Sequence, residues 1–199
     1  MHNNIDELIE LFSKFPSIGR KTSTRITLDL ISKKRHLIPN IIDALNNLNN
    51  SIKTCQICHN IDVTDPCNIC ISTTRQKNII CLVENIEDLW AIEKGNIFTG
   101  TYHILGGVLS AVKGITPENL NIKSLEKRLS ANKIDEIILA IGSSLDGQTT
   151  GYYLSDILKN KVAKLTKLGY GLPLGSEIGY LDEGTLNAAF ESRKYVEQN

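Results

Sequence analysis

Along the first fifty residues the apolar positions repeat at helical intervals. Ile5, Leu8, Ile9 and Phe12 fall on one side of a helix, which has to stop before Pro16. A second helix is expected from about Gly19, and Ile41, Ile42, Leu45 and Leu48 mark a third, with Asn40 placed to cap it. Beyond four cysteines the pattern changes. The continuous apolar run IICLV (79–83) ends in Glu84 and has the pattern of a buried strand. A helix around Glu87 to Glu93 should follow, then a strand over YHILGG (102–107) and a helix from Ile122 to Ala131. EIILAI (136–141) reads as a second buried strand, 149–160 as a helix, and KVAKLTKL (161–168) alternates like a strand. Strands separated by helices imply a mainly parallel sheet covered on both faces. Breaks near residues 53 and 78 divide the chain into modules.

Composition narrows the class only a little. Of 199 residues, 41% are hydrophobic and 22% charged, ordinary values for a chain that buries a core, so disorder is not expected. No stretch approaches the ~18 or more apolar residues of a membrane span, and the start MHNNIDELIE lacks the basic-then-apolar order of a secretory signal, which points to the cytoplasm and to no membrane partner. The net charge of zero excludes a uniformly basic coat, so any contact with a polyanion must be local. Residues 1–83 carry ten Lys and Arg against seven Asp and Glu, whereas residues 84–199 carry twelve against fifteen. The bias sharpens between Lys14 and Arg35, where Arg20, Lys21, Arg25, Lys33 and Lys34 complete a set of seven cations facing Asp29 alone. A solvated helix face has the same composition and is what most such runs are, so the run by itself favours that blander reading.

The cysteines say more. Cys55-x2-Cys58 and Cys67-x2-Cys70 form two close pairs with eight residues between them. Each pair can bend two thiolates onto one ion, and four thiolates close a tetrahedral zinc site with no position left for water. Such a site is structural, one zinc per chain, because catalytic zinc keeps a place open for substrate. Two disulfides are the alternative, and a reducing cytosol disfavours them. Cys81 lies within IICLV and reads as a small buried hydrophobe; His59, directly after Cys58, is too close to serve beside it.

FPSIGRK (15–21) stands between two predicted helices, and apolar-Pro-x-apolar-Gly-x-Lys is the pattern of a helix-hairpin-helix turn. Gly19 would allow a tight turn that leaves amides at the second helix's N-terminus facing a phosphate, with Arg20 alongside. Lys21 and Arg25, four apart, share a face and make a sequence-blind grip on the phosphate backbone. An ordinary helix corner would use similar residues. The hairpin, the four-cysteine knot, the strand ending ICLVE, TGTYHILGG and the tail GYGLPLGSEIGYLDEGTLNAAFESR occur in an order that resembles the RecR family of bacterial recombination mediators over nearly the whole chain.

The resemblance implies an α/β multi-module protein. It would comprise a helix-hairpin-helix DNA-binding region (1–53), a four-cysteine zinc finger (54–77), a Toprim domain with a parallel sheet flanked by helices (78–173) and a C-terminal Walker-B-like segment and helix (174–199). It further implies a homodimer or a homotetramer ring that encircles DNA, duplex, single-stranded or gapped. Such a ring would act with RecO and RecF to load RecA on DNA coated by single-strand-binding protein. Lys21 and Arg25 match the family's DNA-contacting positions, and Glu84 and Asp88 match acidic positions linked to RecO.

Two features look like enzymes. Catalytic Toprim domains hold Mg²⁺ with a glutamate after one strand and a carboxylate pair after another, as suits a hard ion. Glu84 matches the first, but the second position reads Asp146-Gly-Gln148, one charge short of the Glu-Gly-Glu of RecR relatives. IGYLDE (178–183) imitates a Walker B strand, yet IGRKT (18–22) and GYGLPLG (169–175) both fail the spacing of phosphate-binding loops. These features favour a non-catalytic DNA-binding clamp. A Mg-dependent Toprim nuclease or primase-like enzyme is the alternative, and a zinc scaffold that binds only protein a third reading.

Overall fold

The computed structural model describes residues 3–169, 171–173 and 175–193. Of the predicted modules, Tyr170, Leu174 and residues 194–199 lie outside the described residues. The chain forms two compact units, Met1–Ile52 and Lys53–Asn199.

In the first unit, α1 (Asn3–Ser13) packs on α2 (Arg20–Ser32), and α3 (Ile38–Ser51) follows a short 3₁₀ turn. Ile9 is the buried apolar anchor of α1. Opposite it α2 presents the small residues Ser23 and Thr27, both buried, and the Ser23 hydroxyl donates to the Ile9 carbonyl at 2.9 Å, so the two helices approach closely. Asn40 does not cap α3 as its position suggested. The cap lies three residues earlier, at Leu37, because Pro39 fits the first turn, where its missing N–H costs nothing.

The second unit opens with a two-stranded ribbon, β1 (Lys53–Thr54) and β2 (Ile61–Asp62), followed by the single-turn α4 (Asn68–Ile71). Four parallel strands come next, in the order β4 (Gly100–Ile104), β3 (Gln76–Val83), β5 (Glu136–Ala140), β6 (Lys164–Lys167). Helices α5 (Ile86–Lys94), α6 (Ile122–Ala131) and α7 (Leu145–Leu158) connect them. Alternation along β3 divides the core in two. Ile80 and Leu82 enter a large cluster with Leu125, Ile137, Leu139 and Leu154, while Cys81 and Val83 enter a smaller one with Leu89, Tyr102 and Ile104.

Several bounds differ from the periodicity. β4 stops before Gly106 and Gly107, whose φ of 86° and 142° take the backbone out of the strand. β6 is shorter than 161–168, since its first three residues turn out of α7. α7 begins at Leu145 rather than 149, because the Ser144 side chain accepts from the Gly147 amide and caps the helix early. The IGYLDE segment is not a strand: Ile178–Tyr180 form a 3₁₀ turn, and Asp182 caps the final helix α8 (Glu183–Glu191) by accepting from the Thr185 amide at 2.9 Å.

Candidate zinc centre and nucleic-acid interface

The ribbon and α4 fold so that four sulfurs converge. After β1 the chain doubles back, with the Cys55 amide donating to the Asn60 carbonyl at 2.7 Å and the His59 amide to the Cys55 carbonyl at 2.9 Å. His59 takes the left-handed φ of 64° that this turn needs. Asp62 accepts from the Asn68 amide and Asp65 from the Gln56 amide, which ties the second cysteine pair to the first. Cys55, Cys58, Cys67 and Cys70 are all buried, none is in a disulfide, and their sulfurs lie within 4.8 Å of one another. Zn–S bonds of about 2.3 Å require sulfurs roughly 3.8 Å apart, a spacing that Cys58 and Cys67 meet at 3.5 Å. Hydrogen bonding between those two splits their acidities, raising Cys58 and lowering Cys67. A divalent cation removes that conflict by letting all four ionise. The four cysteines suit one structural zinc.

The knot is docked on the sheet. The Ile104 amide of β4 donates to the Cys58 carbonyl at 2.9 Å, and Ile69 packs against both the cysteines and the smaller core. The His59 ring nitrogen Nε2 meets the Ser124 hydroxyl at 2.7 Å and stands edge-on to His103, with ring centroids 5.3 Å apart. On the other side of the junction, Arg75 grips the Glu93 carboxylate with two bonds of 2.5 and 2.8 Å, and the Tyr102 hydroxyl adds a third at 2.6 Å. Periodicity gives no hint of Arg75, Glu93, His103 or Arg128, because their partners are remote in sequence. Cys81 is buried as expected, and burial pushes its thiol up to about 12.

Gly19, Arg20, Lys21 and Arg25 come together at the start of α2, all exposed. The turn itself differs from expectation. Gly19 has φ −80° and ψ 166°, which any residue adopts, and a Cβ there would meet nothing within 4 Å; the left-handed residue is Ser17, at φ 63°. What Gly19 provides is an N-terminus with no side-chain cap, so its amides stay open. Asp29, the one acid in the stretch, is engaged by Lys34 at 2.8 Å and Lys33 at 3.9 Å. Among the described residues, Arg20, Lys21 and Arg25 then have no carboxylate partner.

The acidic positions follow the C-terminal ends of β3 and β5. Glu84 accepts from the Gly142 amide at 2.6 Å, and Asp88 completes a capping box on α5 by accepting from the Asn85 amide at 3.1 Å. Asp146 lies in the first turn of α7, and the Gln148 side-chain Nε2 donates to the Ser143 carbonyl at 2.9 Å. Among the described residues, the four cysteines are the one group of three or more His, Cys, Asp and Glu placed to share an ion. Glu84 and Asp88 both accept from backbone amides, whereas Trp90 on α5 is 58% exposed and belongs to no motif of the sequence.

A basic, uncapped helix end on one unit and a four-cysteine knot bracing a parallel α/β sheet on the other define a zinc-finger Toprim protein with a helix-hairpin-helix region. Family models match in chain order: RecR helix-hairpin-helix over residues 5–48, RecR four-cysteine zinc finger domain over 52–72, Toprim domain over 78–168 and RecR C-terminal over 171–194. The chain is 47% identical to the recombination protein RecR of Anaplasma phagocytophilum over 97% of its own length and 100% of that protein's. It is 44% identical to that of Neorickettsia sennetsu, covering 98% of this chain and 100% of the relative. The same identity holds for that of Maricaulis maris, covering 96% of both. The chain belongs to the RecR family. No helix among the described residues is long and apolar enough to cross a membrane.

Proposed function

We propose that the chain is a non-catalytic clamp that holds DNA through the start of α2 and mediates recombinational repair in the cytoplasm. Lys21 and Arg25 bind phosphates, with Arg20 and the open amides after Gly19 completing the grip. The observation that carries this reading is the set of three exposed cations without carboxylate partners at an uncapped helix N-terminus. Lys21→Ala with Arg25→Ala is expected to weaken DNA binding uniformly across sequences and to flatten the salt slope by about one unit per residue, read by anisotropy titration. Unchanged affinity and slope would refute the assignment.

Within this reading the modules are 1–53, 54–77, 78–173 and 174–199. The clamp is a homodimer or a tetramer ring, and it acts with RecO and RecF to load RecA on gapped DNA. Self-association is supported by the apolar row of α3, where Ile42, Leu45 and Leu48 are half exposed or more. Glu84 and Asp88 mark the RecO side, and Trp90, the one tryptophan, supplies a fluorescence reporter close by. A non-catalytic role is supported by Glu84 being bound to the Gly142 amide and by the neutral amide at Gln148. Magnesium-dependent cleavage or synthesis on labelled DNA, abolished by Glu84→Gln, would replace the clamp with an enzyme.

A further inference from the structure

Arg128 is a partly buried guanidinium in the interior of the second unit, and among the described residues no carboxylate lies within salt-bridge distance of it. Its two hydrogen bonds go to neutral groups of β4: Nη1 donates to the Tyr102 carbonyl at 2.7 Å and Nη2 to the Thr101 hydroxyl at 2.8 Å. A buried charge without a counterion is costly, so an arginine in this position needs a negative partner of another kind.

The surroundings supply one. Asn121, Ser124 and Arg128 follow one another at helical spacing along one side of α6, and the first two face the knot's docking surface. The Asn121 carbonyl meets His103, and the Ser124 hydroxyl meets His59, the residue after Cys58. From the other direction Cys58 accepts from the Ile104 amide, two residues along β4 from the carbonyl that Arg128 holds. A zinc ion held by four thiolates is a dianion. Burial pulls the guanidinium down from its ordinary range, and each of the four cysteines acts on it in the opposite sense.

We propose that Arg128 is the countercharge of the zinc knot, a positioning residue on α6 that stabilises the four-thiolate site and latches it to the Toprim sheet. The assignment goes beyond the clamp reading and stands whether or not α2 grips DNA. Arginine suits the place better than lysine, since its planar fork holds two acceptors on β4 and still has donors to spare.

The test is zinc affinity, measured by competition with a chromophoric chelator on the full chain, with folding followed by circular dichroism. Arg128→Gln and Arg128→Met, which remove the charge, are expected to weaken zinc binding by about 10- to 100-fold, the range for outer-shell partners of metal sites. Arg128→Lys, which keeps the charge and loses the fork, retains the larger part of the affinity. Affinity unchanged in the neutral variants overturns the proposal, and so does a loss in the lysine variant as large as theirs. Should both neutral variants fail to fold, hydrogen exchange on the unaltered chain decides. Chelation is then expected to raise exchange along α6 (Ile122–Ala131) while the buried interior of α7 stays protected, and α6 exchange that does not respond to zinc removal refutes the latch.

Discussion

His103 shows how one buried ring fixes the acid sensitivity of the second unit. Its Nε2 faces the Asn121 carbonyl at 2.9 Å, which must be met by an N–H, so Nδ1 is the bare nitrogen, buried and without a partner. Protonation there would place a charge in the core, and burial above all, with the Arg128 charge adding to it, lowers the ring to about 4 from 6.5. The unfolded chain therefore takes up a proton before the folded one. The stability this residue contributes is complete above pH 6.5 and is lost as pH falls towards about 4. His103→Gln is expected to flatten the fall in urea midpoint over that window, with zinc in excess throughout. Glu93 acts in the same sense lower down. Burial raises its carboxyl, but the bonds from Arg75 and Tyr102 outweigh burial and hold it below 4.5, so its contribution goes as pH falls through that lowered value.

Among the elements, α7 depends on a glycine that a helix would ordinarily resist. Gly147 lies in its first turn, and a Cβ there would meet the Gly142 carbonyl oxygen at 2.3 Å and the Ser144 hydroxyl at 3.2 Å. The Ser144 cap and the close approach of the loop after β5 both need that gap. Gly147→Ala is therefore expected to destabilise the fold by about 1–3 kcal/mol, the ordinary cost of overpacking, despite alanine's higher helix propensity. Chemical denaturation checks it, and a stabilised variant would mean that the loop yields. α2 shows the converse. A Cβ on its capping glycine would meet nothing, so Gly19→Ala should leave folding intact, and a loss confined to DNA affinity would place the open amides in the grip.

At the scale of the molecule the zinc knot stands in for a hydrophobic core. Residues 53–72 contribute four cysteines, with Ile57 and Ile69 packed on them, too little apolar surface to fold alone. Elemental analysis is expected to find about one zinc per chain, and Cys55→Ser or Cys67→Ser to lose it, with a drop in thermal stability that excess zinc does not repair. Full stability in a metal-free preparation would refute that. The exposed row on α3 predicts assembly: light scattering should return a multiple of the 22.1 kDa chain mass, and Leu45→Glu should lower it without unfolding the monomer.

Sequence alone determined whatever rests on local spacing. The 3.6-residue repeat placed α1 and α6, the apolar runs placed the cores of β3 and β5, and two CxxC pairs specified the zinc, since each depends on residues a few positions apart. FPSIGRK likewise marked the hairpin, although the left-handed position fell to Ser17 rather than Gly19. Only the tertiary structure decided which charges are answered and by what. Arg75 finds Glu93 eighteen residues away, Glu84 finds the Gly142 amide fifty-eight away, and Arg128 finds the Tyr102 carbonyl of β4 twenty-six away. Spacing along a chain encodes the contacts made within a turn or a strand, while contacts between elements depend on how the sheet orders them, β4-β3-β5-β6, which no local pattern contains.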